Sequence, residues 1–123
     1  MKRSVLLIAL SVFLLSFIRK EKESEFVGIA SYYHSKFEGR KTSSGEVFSN
    51  NNLTAAHKTM RLGTWVKVTN LKNDSVVIVK INDRLPSTSK RLIDLSVRAA
   101  TQLNFIRAGL TKVRIEVTER LKD

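Results

Sequence analysis

The sequence predicts a mainly β fold, a small closed β-barrel of short strands with one or two short helices. Several segments alternate apolar and polar residues, as strands with one buried face do, and a single stretch carries the start signal of a helix. Closing a sheet of only about 100 residues into a barrel removes its exposed edges, so a closed barrel is favoured. An open α+β sandwich is the competing architecture.

Two strands joined as a hairpin are the clearest elements of the chain. Residues 65–70 and 75–82 both alternate, and the turn-forming residues 71–74 separate them. Residues 26–33, rich in aromatic and β-branched side chains, predict the first strand of the domain, and residues 111–117 predict the last.

Two further segments are distinguished by their composition. Residues 34–52 carry Gly, Ser, Thr and Asn and predict a long loop, and loops of this length are commonly functional. Ser96 is a suitable N-cap for a short helix over residues 97–103.

The chain is expected to begin with an export signal or a short N-terminal anchor over residues 1–18. Lys2 and Arg3 precede an apolar run at residues 5–18. As a helix this run would span about 21 Å, short of the roughly 30 Å hydrocarbon core, which favours a cleaved signal. Retention as an uncleaved anchor stays open.

The remaining chain divides into a tether and a single domain. Residues 19–25 read as a charged tether and residues 26–119 as the barrel domain, with no sign of an internal repeat.

Charge and cysteine content narrow the function classes. The chain has 22 Lys+Arg against 11 Asp+Glu, a formal net charge of +11, which favours a polyanionic partner; the export signal points to a polymer of the cell envelope. Scattered basic residues also serve solubility alone. Nucleic acid is disfavoured because stacked aromatics and a groove-reading helix are missing from the pattern.

Cofactor chemistry is not expected. The absence of Cys excludes a disulfide scaffold, a thiolate metal site and a Cys nucleophile, and two His make a dedicated zinc site improbable on composition. Carboxylates and His57 are therefore the acid–base candidates.

Asp83 is the first such candidate, because it directly follows an apolar strand and precedes Arg84. Partial burial would raise the pKa of its carboxyl, whereas the Arg84 cation would lower it, and the sequence leaves this open. A turn cap or a surface pair is the competing interpretation. Asp94 lies between apolar residues, either partly buried in a cleft or bonded to backbone amides beside the helix at Ser96.

His57 and Glu46 complete the set of candidates. His57 could orient a carboxylate or bind a sugar hydroxyl, although a lone His is often structural. Glu46 lies in the polar loop and would otherwise pass for a solvated residue.

The order of these residues carries a family resemblance. Six collinear segments are similar to the RlpA-like (rare lipoprotein A) double-psi β-barrel family, and the resemblance runs from about residue 27 to residue 117. They are residues 28–33, 41–46, 53–57, 63–71, 81–84 and 91–96.

The resemblance implies a six-stranded double-psi barrel that acts on peptidoglycan glycan strands. Characterised members include lytic transglycosylases, which cut the MurNAc–GlcNAc bond without water and leave 1,6-anhydroMurNAc ends. The family's aspartate, histidine and loop glutamate fall on Asp83, His57 and Glu46, and Asp94 matches a groove aspartate of related barrels. Asp83 is the expected proton donor. Expected glycan-binding residues are Tyr32, Tyr33, Thr42, Asn70 and Arg84.

The resemblance implies a protein of the periplasm or cell envelope of a bacterium. We expect it to be a monomer that needs no metal or organic cofactor. Two departures from the family pattern keep a second function open. Leu85 stands where many members have glycine, and Ser49 stands where a carboxylate is usual. The alternative is a non-catalytic, expansin-like module that binds the cell wall.

Overall fold

The computed structural model describes residues 25–119 and has six strands closed into a barrel. The strands are β1 (Glu25–Tyr32), β2 (Thr54–His57), β3 (Trp65–Asn70), β4 (Val76–Asp83), β5 (Ile93–Leu95) and β6 (Thr111–Thr118), with one helix, α1 (Val97–Gln102), and a 3₁₀ turn (Ser35–Phe37). Around the barrel the order is β1-β5-β2-β4-β3-β6. The predicted all-β barrel is confirmed, and the open α+β sandwich is excluded.

The predicted hairpin is present as β3 and β4, and it supplies much of the core. The two strands pair antiparallel, with Val66 opposite Val79 and Val68 opposite Val77. Alternate residues of β3, β4 and β6 point inward, where apolar burial stabilises the fold. The buried side chains from these strands are Val66, Val68, Val77, Val79, Ile81, Val113 and Ile115.

Strands β2 and β5 were not located from the sequence, and their burial explains why. All four residues of β2 are buried, and β5 has only three residues, so neither shows a sustained alternation. Their pairing partners matter for function: β5 runs parallel to β1, and β2 runs parallel to β4. β2 and β5 pair antiparallel with each other, so β1, β5, β2 and β4 lie side by side in that order.

Helix α1 begins where the sequence predicts. Ser96 adopts an extended conformation, and its hydroxyl accepts a hydrogen bond from the Ala99 amide at 3.3 Å, which caps the first turn. Ala99, Ala100 and Leu103 are fully buried, so the helix covers part of the barrel core.

The predicted signal or anchor at residues 1–18, and the tether up to residue 24, lie outside the described residues. Within residues 25–119 we find no helix with the length and apolar character needed to cross a bilayer.

Candidate functional site

A cavity of about 550 Å³ opens at one end of the barrel, where the ends of β1 and β4 meet β5. We call it the aspartate cavity because Asp83 and Asp94, the two aspartates predicted to be site residues, line it. Its lining residues are Ser31, Tyr32, Tyr33, His34, Lys36, Phe37, Asp83, Arg84, Leu85, Pro86, Arg91 and Asp94.

Strand register brings Asp83 and Asp94 to the same face of the barrel. Ala56 of β2 lies opposite Asp83 on one side and opposite Asp94 on the other, and Asp94 in turn lies beside Ser31 of β1. Residues in one such cross-strand row project from the same face of the sheet. Two strand spacings of about 4.8 Å separate the aspartate Cα atoms by roughly 10 Å, a gap that fits part of a sugar ring between them.

Asp83 is held by two residues of the segment between β1 and β2. The Tyr33 hydroxyl donates to Oδ2 at 2.6 Å, and Ser43 donates to Oδ1 through its backbone N–H at 2.9 Å and its hydroxyl at 2.8 Å. Partial burial pushes the pKa of Asp83 up, but the hydrogen bonds from Tyr33, Ser43 and the Arg84 backbone outweigh it, so the pKa lies below the usual 3.8. Asp83 is therefore ionised in the ligand-free protein at neutral pH.

The Arg84 side chain does not pair with Asp83. Its Nη1 atom donates to the carbonyl of Met60 at 2.6 Å and to the carbonyl of His57 at 3.3 Å. The lowered pKa of Asp83 comes from hydrogen-bond donors rather than from the neighbouring cation, which answers the question that the sequence left open. Arg84 instead fixes the backbone that follows β2.

Tyr33 is built into an aromatic stack. Its ring lies 4.3 Å from that of Phe48, nearly parallel to it, and the edge of Phe37 approaches at 5.7 Å. Burial first, and then the hydrogen bond to Asp83, raise the pKa of the Tyr33 phenol above its usual 10.0, so it stays a donor. Since one ring face is covered, the arrangement favours a role in positioning Asp83 over stacking on a sugar.

Asp94 is bound by a fork of two hydrogen bonds. Arg91 donates through Nε to Oδ1 at 2.7 Å and through Nη2 to Oδ2 at 2.9 Å, and Ser31 donates its hydroxyl to Oδ1 at 2.8 Å. The Asp94 side chain is 15% exposed. Its partners are side chains rather than the amides of α1, so the interpretation of Asp94 as a helix-adjacent cap is wrong.

His57 lies at the end of β2 with its ring locked by the chain that follows. Its Nδ1 accepts from the amides of Thr59 at 3.1 Å and Met60 at 3.0 Å. Burial, and then the positive charges of Arg84 and Lys58, lower the pKa of His57. The ring is therefore neutral, and because Nδ1 is an acceptor, the proton resides on Nε2.

The His57 ring lines a second cavity of about 410 Å³, which adjoins the aspartate cavity through the shared residue Arg91. We call it the basic cavity. Its lining residues are Phe26, Val27, Gly28, His57, Lys58, Thr59, Met60, Lys90, Arg91 and Leu92.

Glu46 opens onto a third depression rather than onto the aspartate cavity. Its carboxylate pairs with Lys80 at 2.9 Å and accepts from the Ser44 hydroxyl at 3.2 Å. Glu46 and Asp83 are nonetheless linked through one loop, because Ser43 binds Asp83 and the Ser44 amide donates to the carbonyl of Asn82 at 3.1 Å.

Two predicted glycan-binding residues are engaged inside the protein. The Thr42 hydroxyl donates to the Glu46 carbonyl at 3.0 Å within the loop. Asn70 is 1% exposed and lies beside the turn between β3 and β4. Eight residues of strand separate that turn from Asp83, roughly 26 Å at 3.3 Å per residue. Of the five predicted binding residues, Tyr32, Tyr33 and Arg84 line the aspartate cavity.

The structure adds three residues that sequence reasoning did not single out, Ser31, Ser43 and Arg91. Each belongs to a segment that resembles the family, but a segment does not show that Ser43 and Ser31 reach aspartates 40 and 63 positions away. Arg91 lies only three positions before Asp94, a spacing that could have indicated the pair. Leu85 is buried in the cavity wall without a positive φ, so the chain after Asp83 does not need glycine there.

Within residues 25–119 no three His, Asp or Glu side chains come together as metal ligands would. The site consists of two aspartates and their donors, with a neutral imidazole N–H in the adjoining cavity.

Comparison with known proteins covers most of the described domain. A family model described as "Lytic transglycolase" matches residues 25–115. The chain is 52% identical over 96 residues to the "Endolytic peptidoglycan transglycosylase RlpA" of Haemophilus influenzae, covering 78% of this chain and 33% of that protein. It is 52% identical over 90 residues to the protein of the same name from Campylobacter jejuni, covering 73% and 33%. The chain thus spans about a third of the length of these curated relatives.

Among solved structures, the apo expansin of Clavibacter michiganensis superposes with a TM-score of 0.65 at 19% identity, covering 80% of this chain and 52% of that one. A likeness at this identity shows the shared barrel fold alone.

Proposed function

Since the chain belongs to the lytic transglycolase family, we propose that it is a peptidoglycan lytic transglycosylase that cleaves the MurNAc–GlcNAc bond and leaves a 1,6-anhydroMurNAc end. The observation that supports this activity is the cross-strand row that places Asp83 and Asp94 in one cavity, with Asp83 gripped by Tyr33 and Ser43. The similar proteins are named for peptidoglycan transglycosylase activity.

Asp83 serves as both acid and base in the proposed reaction. Its protonated form gives a proton to the glycosidic oxygen as the bond from that oxygen to C1 of MurNAc breaks. The C6 hydroxyl of the same sugar then bonds to C1 and returns its proton to Asp83. No water is consumed, and holding the sugar in a reactive pose supplies much of the acceleration because the nucleophile is intramolecular.

Asp83 must acquire its proton when glycan binds. Burial already acts to raise its pKa, and a sugar ring over the cavity excludes further water and strengthens that effect. Asp94 is less suited to proton transfer because Arg91 occupies both its oxygens, and Glu46 faces away with Lys80. We assign Asp94, with its two hydrogen bonds from Arg91, to shaping the cavity and orienting the sugar.

The other predicted residues support binding. His57 offers a fixed Nε2 donor to a hydroxyl or acetamido oxygen, and Tyr32 lines the cavity, with its hydroxyl bound to the Ile106 carbonyl at 2.8 Å. Arg84 holds the carbonyls that fix the His57 loop, which makes it a positioning residue.

The decisive experiment is digestion of purified glycan strands followed by mass analysis of anhydro ends. Asp83→Asn should keep the fold and lower the rate at least about 100-fold, as removal of a general acid does. Asp74→Asn is the matched control, because Asp74 is exposed in the distant turn and Asn also accepts its positive φ of 62°. Unchanged turnover in Asp83→Asn would remove Asp83 from the acid role.

A non-catalytic, expansin-like wall-binding module is the second candidate. The lowered pKa of Asp83 favours it, because an ionised carboxylate has no proton to donate. Under this function the protein would sediment with sacculi and yield no anhydro products, at any pH, with Asp83→Asn binding as the unchanged protein does.

We also propose the setting of the activity. The signal or anchor at residues 1–18 would carry the barrel to the cell envelope of a bacterium, where a cleaved chain is released and an uncleaved one stays tethered. A closed barrel offers no free strand edge for pairing, which favours a monomer; a sedimentation experiment on the exported chain tests this.

A further inference from the structure

We propose that the basic cavity is a subsite for a carboxylate carried by the glycan strand, next to the sugar held in the aspartate cavity. This inference rests on the proposed function and names the part of the substrate that the second cavity receives. Peptidoglycan supplies carboxylates in two ways, as the free lactyl group of muramic acid and as the acidic residues of the attached stem peptide.

The charge of the basic cavity is unbalanced. Lys58, Lys90 and Arg91 line it, and no Asp or Glu does. The Arg91 charge is matched by Asp94, whereas Lys58 and Lys90 have no carboxylate partner within residues 25–119. Two uncompensated ammonium groups at a concave surface attract an anion.

A neutral donor faces the same space. His57 belongs to the cavity lining, and two backbone amides occupy its Nδ1, so Nε2–H is the polar ring atom left for a ligand. An N–H donor beside two ammonium groups suits a carboxylate or a carbonyl oxygen.

Most of the remaining lining is apolar. Phe26 and Val27 are 49% and 55% exposed, and Leu92 and Met60 complete the apolar wall. Gly28 allows Leu92 to approach β1 closely, because a Cβ at Gly28 would lie 2.8 Å from the Leu92 Cβ. The lactyl group combines a methyl with a carboxylate, and an apolar wall beside cations is complementary to both.

The two neighbouring cavities differ in charge, and this difference would orient a strand. The aspartate cavity contains two carboxylates that offset its cations, whereas the charged residues of the basic cavity are cations alone. A carboxylate is therefore attracted more strongly to the lysines of the basic cavity. Arg91 lines both cavities, so one continuous glycan can reach from one to the other. A muramic acid would thus present its sugar to Asp83 and its anionic substituent to the lysines.

Binding measurements with three glycans test the subsite. Lys58→Gln, Lys90→Gln and the double variant are made in the Asp83→Asn background, so that the glycan is not consumed. The glycans carry intact stem peptides, free lactyl carboxylates, or lactyl carboxylates converted to neutral methylamides. Lys72→Gln, in the distant turn between β3 and β4, is the matched control.

We expect each lysine variant to weaken binding of a carboxylate-bearing glycan about two- to fivefold, with no change for the methylamide glycan. A loss on the free lactyl glycan assigns the carboxylate to the lactyl group, and a loss confined to the peptide-bearing glycan assigns it to the stem peptide. Equal losses in Lys72→Gln, or a double variant that binds the carboxylate-bearing glycans as tightly as the Asp83→Asn protein does, would overturn the subsite.

Turnover of the unchanged protein separates this inference from the proposed activity. If no anhydro ends form but the lysine variants still lose carboxylate-dependent binding, the transglycosylase function fails and the subsite stands. If anhydro ends form and the lysine variants bind every glycan as Lys72→Gln does, the subsite fails and the activity stands.

Discussion

At the scale of single residues, the protonation state of Asp83 is set by neighbours that lie far from it in the chain. Tyr33 is 50 positions away and Ser43 is 40, and between them they donate three hydrogen bonds to one carboxylate. Donors that favour the charged form stabilise it, so the same contacts that position Asp83 also keep it ionised; under the proposed mechanism it gains its proton only when glycan binds.

Tyr33→Phe is predicted to raise the pKa of Asp83, because it removes the 2.6 Å donor while keeping the ring stack. Under the proposed mechanism, the rise of kcat/KM toward acidic pH should move to higher pH, since kcat/KM reports the free protein. Carboxyl NMR titration measures the pKa directly. Ser43→Ala should act in the same direction, and Ser44→Ala, whose hydroxyl binds Glu46, should not.

Folding stability should depend on pH through the carboxyl group of Asp83. The pKa of Asp83 is lower in the folded than in the unfolded chain, so its contribution to stability is full above the unfolded value and is lost as pH falls through the folded value. Tyr33→Phe should therefore cost about 1 kcal/mol in the free energy of unfolding at neutral pH, and less in acid. A pH-independent cost would contradict this origin.

His57 is predicted to stay neutral, with its proton on Nε2, down to pH values below its ordinary pKa of 6.5. Protonating Nδ1 would set an N–H against the Thr59 and Met60 amides. Nitrogen NMR of the imidazole checks the tautomer. Because the folded pKa is lowered, stability should decline as pH falls from the unfolded pKa towards the folded one.

Two substitutions separate the structural and binding roles of His57. Asn offers an oxygen near the Nδ1 position, so His57→Asn should retain most stability while losing the Nε2 donor and glycan affinity. His57→Gln places its amide near Nε2 and should do the reverse. Equal effects of both on stability and affinity would show that the two ring nitrogens do not divide the roles.

At the scale of elements, the two ends of β4 have different roles. The end of β4 carries Asp83 into the cavity, whereas the turn at the other end is a structural joint centred on Asn70. Asn70 donates to the Leu103 carbonyl at 2.7 Å and accepts from the Thr111 hydroxyl at 2.8 Å and the Lys72 amide at 3.1 Å. It thereby ties the hairpin to α1 and β6.

Asn70→Ala is predicted to lower the free energy of unfolding by about 2–3 kcal/mol, because it leaves buried polar groups unpaired. The KM for glycan should not change, since the cavity lies at the other end of β4. Chemical denaturation and a kinetic assay measure the two effects. A raised KM with unchanged stability would instead support the glycan-binding role expected from the family resemblance.

At the scale of the whole molecule, a formal net charge of +11 would attract the polyanionic cell wall that the proposed function requires. Binding of the Asp83→Asn protein to sacculi is predicted to weaken as ionic strength rises, because salt screens exposed charges beyond about 8 Å near physiological ionic strength. Sedimentation with sacculi over a salt series measures this. Affinity that is unaffected by salt would show that contacts other than charge dominate.

Much of the fold can be predicted from the sequence. The alternation in β3, β4 and β6 reflects strands with one buried face, aromatic and β-branched side chains indicate β1, and Ser96 is a local capping signal. By contrast, β2 and β5 are short and have little alternation, so only pairing with their neighbours makes them strands. The bulge between Ala55 and Ala56, which sets the register of Asp83, has no local signature either.

The sequence by itself determined the barrel class, the positions of four strands, the helix start and the family to which the chain belongs. Only the tertiary structure decided that Tyr33 and Ser43 keep Asp83 ionised, that the Arg84 cation binds carbonyls, and that Glu46 and Asn70 face elsewhere. The physical reason is that apolar periodicity records which side of a strand is buried, whereas a pKa or a hydrogen bond depends on groups that come together only through strand register.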